Sequence, residues 1–464
     1  MSGVSSRAGV PAGPVVARVR PGAVFAVVAA GVAMSNLDMF IVNVALPDIG
    51  RQYAGASLSE LSWVLSAYAV VFAALLVPAG GLADRVGARR AYLAGLGVFT
   101  AASTLCAVAP GVWTLVAARV VQAAGTALLI PASLGLLLAA APPDGRTAAV
   151  RRWAAIGGPA AALGPVVGGL LTQFDWRWVF LVNVPIGLAA LVGGAVVLPR
   201  PPARPDGPWP DLPGAALLTA GTAALMLGVV KGGDWGWTAP RTLGALAATA
   251  VLLALFARRN LRAPAPLLPP ALLRLPGFGP ALLANLLFAV AFAAMLLSAV
   301  LWCQETWHWS ALRTGLAIAP GPLMVPGLAI GAAPIARRAG AGRLAFAGCV
   351  AFAAGIGWWA LWAEDGYAAG MLPGMLLTGV GVGLALPTLI GAGLAAVPPQ
   401  AFSTGSAAVT MARQVGTGLG VAMLVAVLGA DGAFDAGWLW TLAVTAAAAA
   451  SCLLLTRRAG RPSG

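Results

Sequence analysis

The sequence predicts an all-α polytopic membrane protein: fourteen transmembrane helices, forming two six-helix bundles of parallel repeat with two more helices inserted between them. Three observations predict it. Of 464 residues, 60% are hydrophobic and only 9% are charged, whereas a soluble domain carries about 25% charged residues. The mean hydropathy is +0.90. The apolar residues gather in runs close to the ~20 that a helix needs to cross a bilayer. Finally, short motifs of the first half recur in order in the second. The scarcity of charge excludes a soluble enzyme, a disordered chain and a nucleic-acid-binding module, despite a net charge of +14.

Fourteen apolar runs are separated by polar or Pro/Gly breaks: 22–46, 61–81, 91–110, 112–139, 153–172, 178–198, 212–230, 242–257, 278–303, 314–333, 343–362, 369–396, 404–429 and 437–456. The first is no cleaved signal peptide, because its apolar run continues into Asn43-Val44-Ala45-Leu46-Pro47 without a processing site. Four scattered cysteines and one histidine, His308, give neither a disulfide framework nor a metal site. Lys231 is the single lysine among 28 basic residues. With abundant Ala and Gly, that arginine bias suggests a GC-rich bacterial genome.

Basic residues are retained on the cytoplasmic side of a membrane. With both termini cytoplasmic, 21 of the 28 Lys and Arg fall in cytoplasmic segments and five in outer ones, while Arg119 and Arg413 lie inside spans. Nine of the 14 acids lie outside and four inside; Asp38 lies within a span. The charge is thus an orientation signal, and it places the chain as a multi-pass protein of the bacterial plasma membrane.

Arg85, Gly87 and Arg90 recur as Arg338, Gly340 and Arg343 at an offset of 253. Gly125 and Pro131 resemble Gly381 and Pro387 at 256, and Gly164 and Gly168 resemble Gly416 and Gly420 at 252. These offsets divide the chain into a tail (1–21), a first bundle (22–198), a linker with two additional helices (199–277), a second bundle (278–456) and a C-terminal tail (457–464). The inserted spans are expected at the periphery.

Several motifs carry a family resemblance. They are Leu37-Asp38-Met39-Phe40-Ile41-Val42-Asn43-Val44-Ala45-Leu46-Pro47; Trp63 with Tyr68; Gly80-Gly81-Leu82-Ala83-Asp84-Arg85-Val86-Gly87; and Arg119-Val120-Val121-Gln122-Ala123-Ala124-Gly125. Gly164-Pro165-Val166-Val167-Gly168-Gly169, Trp176 to Pro185 and Arg413-Gln414-Val415-Gly416-Thr417-Gly418-Leu419-Gly420 complete the set. In this order they resemble the 14-helix drug:proton antiporter branch of the major facilitator superfamily. Parallel six-helix halves with a midplane substrate site are the plan of that fold.

Asp38 is the only acid inside a span, and a charge at the bilayer centre costs at least ~2.5–3.5 kcal/mol. It therefore needs a partner, a proton or a watery cavity. At ~1.5 Å per residue, Asp38 and Arg119 both sit roughly 10–12 Å below the outer surface. They can form either a permanent structural pair or a site where Asp38 alternates between water and Arg119, as a proton carrier must. The resemblance implies the second. Asp84, Arg85, Arg89 and Arg90, with Gly80 and Gly87, form a charged cytoplasmic turn; positive-inside retention explains part of it, and the resemblance implies a gate latch. Gly164, Pro165, Gly168 and Gly169 suit close helix packing, and the resemblance implies the antiporter motif. Ala88 departs from a frequently basic family position, and Arg337 stands where the second copy would carry an acid.

Asn43, Tyr68, Gln122, Arg413 and Gln414 are cavity candidates. Arg413 can pair with helix ends or backbone carbonyls, or bind an anionic part of a substrate. Trp63 is expected as an interface anchor, Trp176, Trp178, Trp235, Trp237, Trp307 and Trp309 as an aromatic belt, and Glu305 with His308 as solvated loop.

The resemblance implies a monomeric proton-coupled exporter of amphipathic drugs, antibiotics or natural products, using no cofactor and driven by the proton gradient. Spans nine to fourteen contain no acid, which favours neutral or anionic substrates over cationic ones. An uptake symporter is the alternative; a membrane-embedded enzyme or a sensor fits less well, lacking clustered catalytic groups and a soluble domain.

Overall fold

The computed structural model describes residues 21–53, 55–141, 153, 156–200, 209, 211–395, 397–398, 402–429 and 432–458. The two tails fall outside this set apart from residues 21, 457 and 458, as does most of the 142–155 segment.

The first half contains α1 (Pro21–Gln52), α2 (Leu58–Val86), α3 (Ala88–Ala107), α4 (Val112–Ala140), α5 (Gly157–Thr172) and α6 (Asn183–Val197), the last preceded by a helical turn at Trp178–Leu181. Then come α7 (Leu212–Trp235) and α8 (Pro240–Asn260). The second half contains α9 (Phe278–Leu301), α10 (Ala311–Ile318 continued by Pro320–Ala339), α11 (Ala341–Trp362), α12 (Leu372–Ala395), α13 (Phe402–Leu428) and α14 (Phe434–Arg458). Every apolar run of the sequence coincides with a helix. Among the described residues, twelve helices are long and apolar enough to cross a membrane. The other two are α3 and α5: α3 opens on Arg89 and Arg90 and carries Thr100, Ser103 and Thr104, which lower its hydropathy, while α5 is short.

Local sequence sets the helix ends. Ser57 and Glu60 form a capping box at α2, each side chain bonding the other's backbone N–H at 3.2 and 3.0 Å. Asp211 caps α7 by accepting from Gly214 N–H at 3.0 Å, and Arg259 of α8 donates to the same oxygen at 2.6 Å. Gly87 joins α2 to α3 at φ 95°, and Gly340 joins α10 to α11 at φ 89°. That region strongly favours glycine, and the two lie 253 residues apart, so the repeat seen in sequence is also a repeat in backbone geometry.

Packing repeats as well. A Cβ on Gly125 would meet Phe99 N at 2.7 Å, and one on Gly381 would meet Phe352 N at 2.6 Å. Hence α4 lies tightly on α3 as α12 does on α11. Gly168 presses α5 against Ile41 of α1, and Gly420 presses α13 against Val290 of α9. Small residues permit this approach where lipid supplies no hydrophobic drive between helices. Large exposed apolar side chains such as Val196, Leu243, Val251 and Ile330 face outward, as a lipid-exposed surface requires.

The inserted pair divides unequally. Leu243, Val251 and Leu255 of α8 are exposed, so α8 is peripheral as expected. Met226 of α7 is fully buried, and a Cβ on Gly418 of α13 would meet its methyl. Thus α7 is not simply peripheral: it fills the seam where α2 meets α13, because Gly418 leaves a recess that a flexible thioether can occupy.

One end of the bundle is tied by Tyr53 Oη donating to Ala109 O (2.6 Å) and by Trp176 Nε1 and Arg177 Nη1 donating to Gln52 Oε1 (2.6 and 2.8 Å). At this Tyr53 end the halves also meet. Gln304 Nε2 donates to Val44 O at 3.0 Å, a Cβ on Gly169 would meet Leu312 Cα at 2.7 Å, and Gly315 abuts Pro165 O. Phe40 and Phe292 stand edge to face with centroids 6.4 Å apart. Trp176 is buried, a correction to its expected place in the belt: its indole N–H is used by Gln52 inside the loop cluster. Trp63 likewise packs against the main core rather than standing as a free anchor. Trp178 and Trp237 are exposed near helix ends, as expected.

Candidate functional site

The acid that the sequence places inside a span meets the first of its in-span arginines. Helix α1 carries Asp38 and α4 carries Arg119, and the two form an ion pair through Arg119 Nη1 and Asp38 Oδ2, with exposures of 1% and 0%. The second carboxylate oxygen accepts from Gln122 Nε2 at 3.0 Å and from Asn183 Nδ2 at 2.9 Å. Arg119 Nη1 also donates to Gln122 Oε1 at 2.6 Å, and its Nε donates to Val64 O of α2 at 3.1 Å. The guanidinium carbon lies 4.1 Å from the Tyr68 ring centroid, a cation–π contact that is stronger for being desolvated. Tyr68 Oη is hydrogen-bonded to Thr126 Oγ1 at 2.8 Å.

The spacing explains the assembly. Arg119, Gln122 and Thr126 follow at three and four residues, so they share one face of α4. Ser103 of α3 completes the cluster: its hydroxyl accepts from Gln122 Nε2 at 2.8 Å and Asn183 Nδ2 at 3.4 Å. Side chains of α4 and α6 therefore bind the carboxylate of α1 directly, while Tyr68 of α2 and Ser103 of α3 hold those partners in place. Low local dielectric makes such a network strong only while it is complete. Removing one partner of a buried pair costs ~3–5 kcal/mol because a lone charge is left behind.

Next to the pair lies a small cleft of ≈ 30 Å³ between the halves. Met39, Phe40, Asn43, Leu65, Tyr68 and Arg119 line it from the first half, and Phe292, Leu296, Thr417 and Val421 from the second. Asn43 and Tyr68 are thus at the cavity, while Gln122 sits behind it in the network. Asn43 turns its amide back to Met39 O at 3.1 Å. Gln414 is buried, with Nε2 3.7 Å from Met39 Sδ across the cleft. Arg413 is partly buried, its Nε is buried without a hydrogen-bond partner, and no ion pair or hydrogen bond engages its guanidinium among the described residues.

The structure does not bring the charged turn or the small-residue motif into this cluster. Arg85 stacks over Trp209 at 4.2 Å, and Arg89 donates to Ala195 O at the end of α6. Asp84 and Arg90 are exposed beside Gly87. Gly80 faces Pro131 of α4, with 3.6 Å left for a Cβ. Gly164 and Gly168 pack on α1, Gly169 packs on α10, and Pro165 offers its carbonyl to the crowded contact with Gly315. Sequence reasoning missed Asn183 and Ser103 as site residues. An Asn inside an apolar run was a usable signal, since intramembrane polar groups mark functional sites by default; a lone Ser gave none. Among the described residues, no three His, Cys, Asp or Glu side chains group as metal ligands.

The family model of the Major Facilitator Superfamily matches residues 28–421. The chain belongs to that superfamily. It is therefore a multi-pass membrane transporter and not an enzyme. The superfamily member is 34% identical to a methylenomycin A resistance protein of Streptomyces coelicolor, over 88% of this chain and 86% of that one. It is 34% identical to a tetracenomycin C resistance and export protein of Streptomyces glaucescens (88% and 76% covered) and 36% identical to a cephamycin export protein of Amycolatopsis lactamdurans (84% and 82%). Among solved structures, an auto-inhibited POT family peptide transporter superposes with a TM-score of 0.66 at 17% identity, covering 95% of this chain and 97% of that one. Another POT family transporter, PepTSo, gives 0.68 at 16% identity (94% and 98%). At such identities the likeness concerns the fold alone.

Proposed function

We propose that the protein is a proton-driven exporter of amphipathic small molecules of the antibiotic or natural-product kind, working by alternating access in the bacterial plasma membrane as a monomer with both termini cytoplasmic. The moving bodies are residues 22–198 and 278–456, which rock about the cleft. The observation that carries the reading is the buried Asp38–Arg119 pair beside that cleft. Both oxygens of that acid are engaged, by one guanidinium and two amides, so a proton that binds there displaces one of those contacts. Proton uptake and a change in packing of α1 against α4 are then one event, which is the coupling an antiporter needs.

In this mechanism Asp38 carries the proton and Arg119 is the counter-charge that recaptures it as a carboxylate. Gln122, Asn183 and Ser103 hold both in register. Gly164, Pro165, Gly168 and Gly169 let α5 slide on α1 and close on α10 at the Tyr53 end. The turn at Gly80, Asp84, Arg85, Gly87, Arg89 and Arg90 latches the opposite end. Asn43, Tyr68 and Gln414 present polar groups to a substrate that is neutral or anionic rather than cationic. The resistance and export roles named for the relatives support the outward direction.

Reconstitution into vesicles with an internal pH dye tests the reading. Adding an exported drug is expected to move protons in the wild type and not in Asp38→Asn. Unchanged drug-induced proton flux in that variant rejects Asp38 as the carrier.

A further inference from the structure

We propose that Arg413 is the docking point for a single negative charge on the transported molecule, so that the cleft prefers amphipathic monoanions, carboxylates above all, to their uncharged analogues. This deepens, and rests on, the export reading above.

The argument starts from an imbalance. Three charged side chains stand inside the spans. Asp38 and Arg119 neutralise each other, and both carboxylate oxygens are engaged. Arg413 therefore leaves one uncompensated positive charge in the membrane interior, with a buried Nε that nothing in the described protein accepts from. A permanent cation in low dielectric needs a counter-charge, and the acids on the described helical segments of the second half, Glu305, Glu364, Asp365 and Asp435, stand only at their ends.

Its position sets the group at the border of the cleft. Thr417 lies one turn along α13 and lines the cleft, and residues four apart share a helix face. The neighbouring Gln414 reaches Met39, which lines the cleft from α1. Gly416 and Gly420, three and seven residues on, pack the adjoining strip of that face on α9, and Gly418 packs another on α2 and α7, so Arg413 stands where the α9 contact meets the cleft. Binding one carboxylate here would make the loaded cleft electrically neutral. The planar guanidinium offers the paired N–H donors that a carboxylate matches.

The test uses the full-length purified protein near neutral pH, titrated with a panel of aryl carboxylic acids, each beside its own methyl ester. The wild type is expected to bind the acids about tenfold more tightly than the esters, as a charge-assisted contact allows. Arg413→Gln should bring that ratio to about one, while Arg413→Lys, which keeps the charge, should retain part of it. The inference is overturned if the wild type shows no preference for the acids, if the Gln variant keeps the wild-type ratio, or if the folded Lys variant loses it as fully as Gln. Because the readout is a ratio within one protein, a loss of total binding sites does not imitate it. Failure of the export reading looks different: the acids bind with the expected preference yet move no protons in vesicles.

Discussion

Each half of the molecule holds one arginine inside its spans, and the two are treated in opposite ways. Arg119 has an anion, an amide oxygen, a backbone carbonyl and an aromatic face around it. Arg413 has none of these among the described residues. The cores of the two halves differ as well. The first half is bolted by a polar cluster on one carboxylate, whereas the second is filled by aromatic contacts, with Trp302 4.9 Å from Trp438 and 5.2 Å from Phe434. The repeat conserves backbone devices such as Gly87 and Gly340 while the chemistry is placed in one copy only. A fold built by repetition thus keeps its packing rules in both halves and puts a buried ion pair in one and an unpartnered charge in the other.

The sharpest way to break this comparison is Asp38→Asn, in which drug-induced proton flux should fall to background while Arg119 keeps its other contacts; a pH-dye assay in vesicles reads it. Arg119→Ala comes next. It strands the buried Asp38 carboxylate, and a loss of ~3–5 kcal/mol in stability is expected; thermal unfolding in detergent should drop by many degrees, together with uncoupled transport. Asn183→Ala removes one of the amides on Asp38. A hydrogen bond to a charged group is worth about 1.5–3 kcal/mol, so a smaller drop in melting temperature is expected, and Ser103→Ala should lose less still. The last of the series has the opposite sign. Arg413→Leu removes an unpartnered charge from the membrane and should stabilise the folded protein, by about 1 kcal/mol after allowance for its partial exposure. A destabilised Arg413→Leu on the same melting assay would show that Arg413 has a structural partner and is a second Arg119.

Much of this was legible in the chain. The apolar runs all became helices, because in a bilayer a segment must satisfy its own backbone and helix is the local way to do so. The meeting of Asp38 and Arg119 could be argued from depth alone, since helix rise is constant and a buried acid demands a base. The belt positions of Trp178 and Trp237 followed from their place at span ends. What failed was lateral. Trp176 was expected at the interface and is inside, and α7 was expected at the margin and is wedged between α2 and α13. Such placements depend on which helix lies beside which, and a hydropathy pattern holds no record of that. Asn183 entered the cluster for the same reason: its depth could be read, its facing could not.

By itself, then, the sequence determined the helices, their repeat and the small set of charges that the membrane would have to accommodate, because each follows from one segment's exchange between water and lipid. The tertiary structure decided which of those charges is satisfied. Only the convergence of five helices could give Asp38 its arginine and amides, and only the packing of α13 against α2, α7 and α9 could leave Arg413 beside the cleft with nothing to hold.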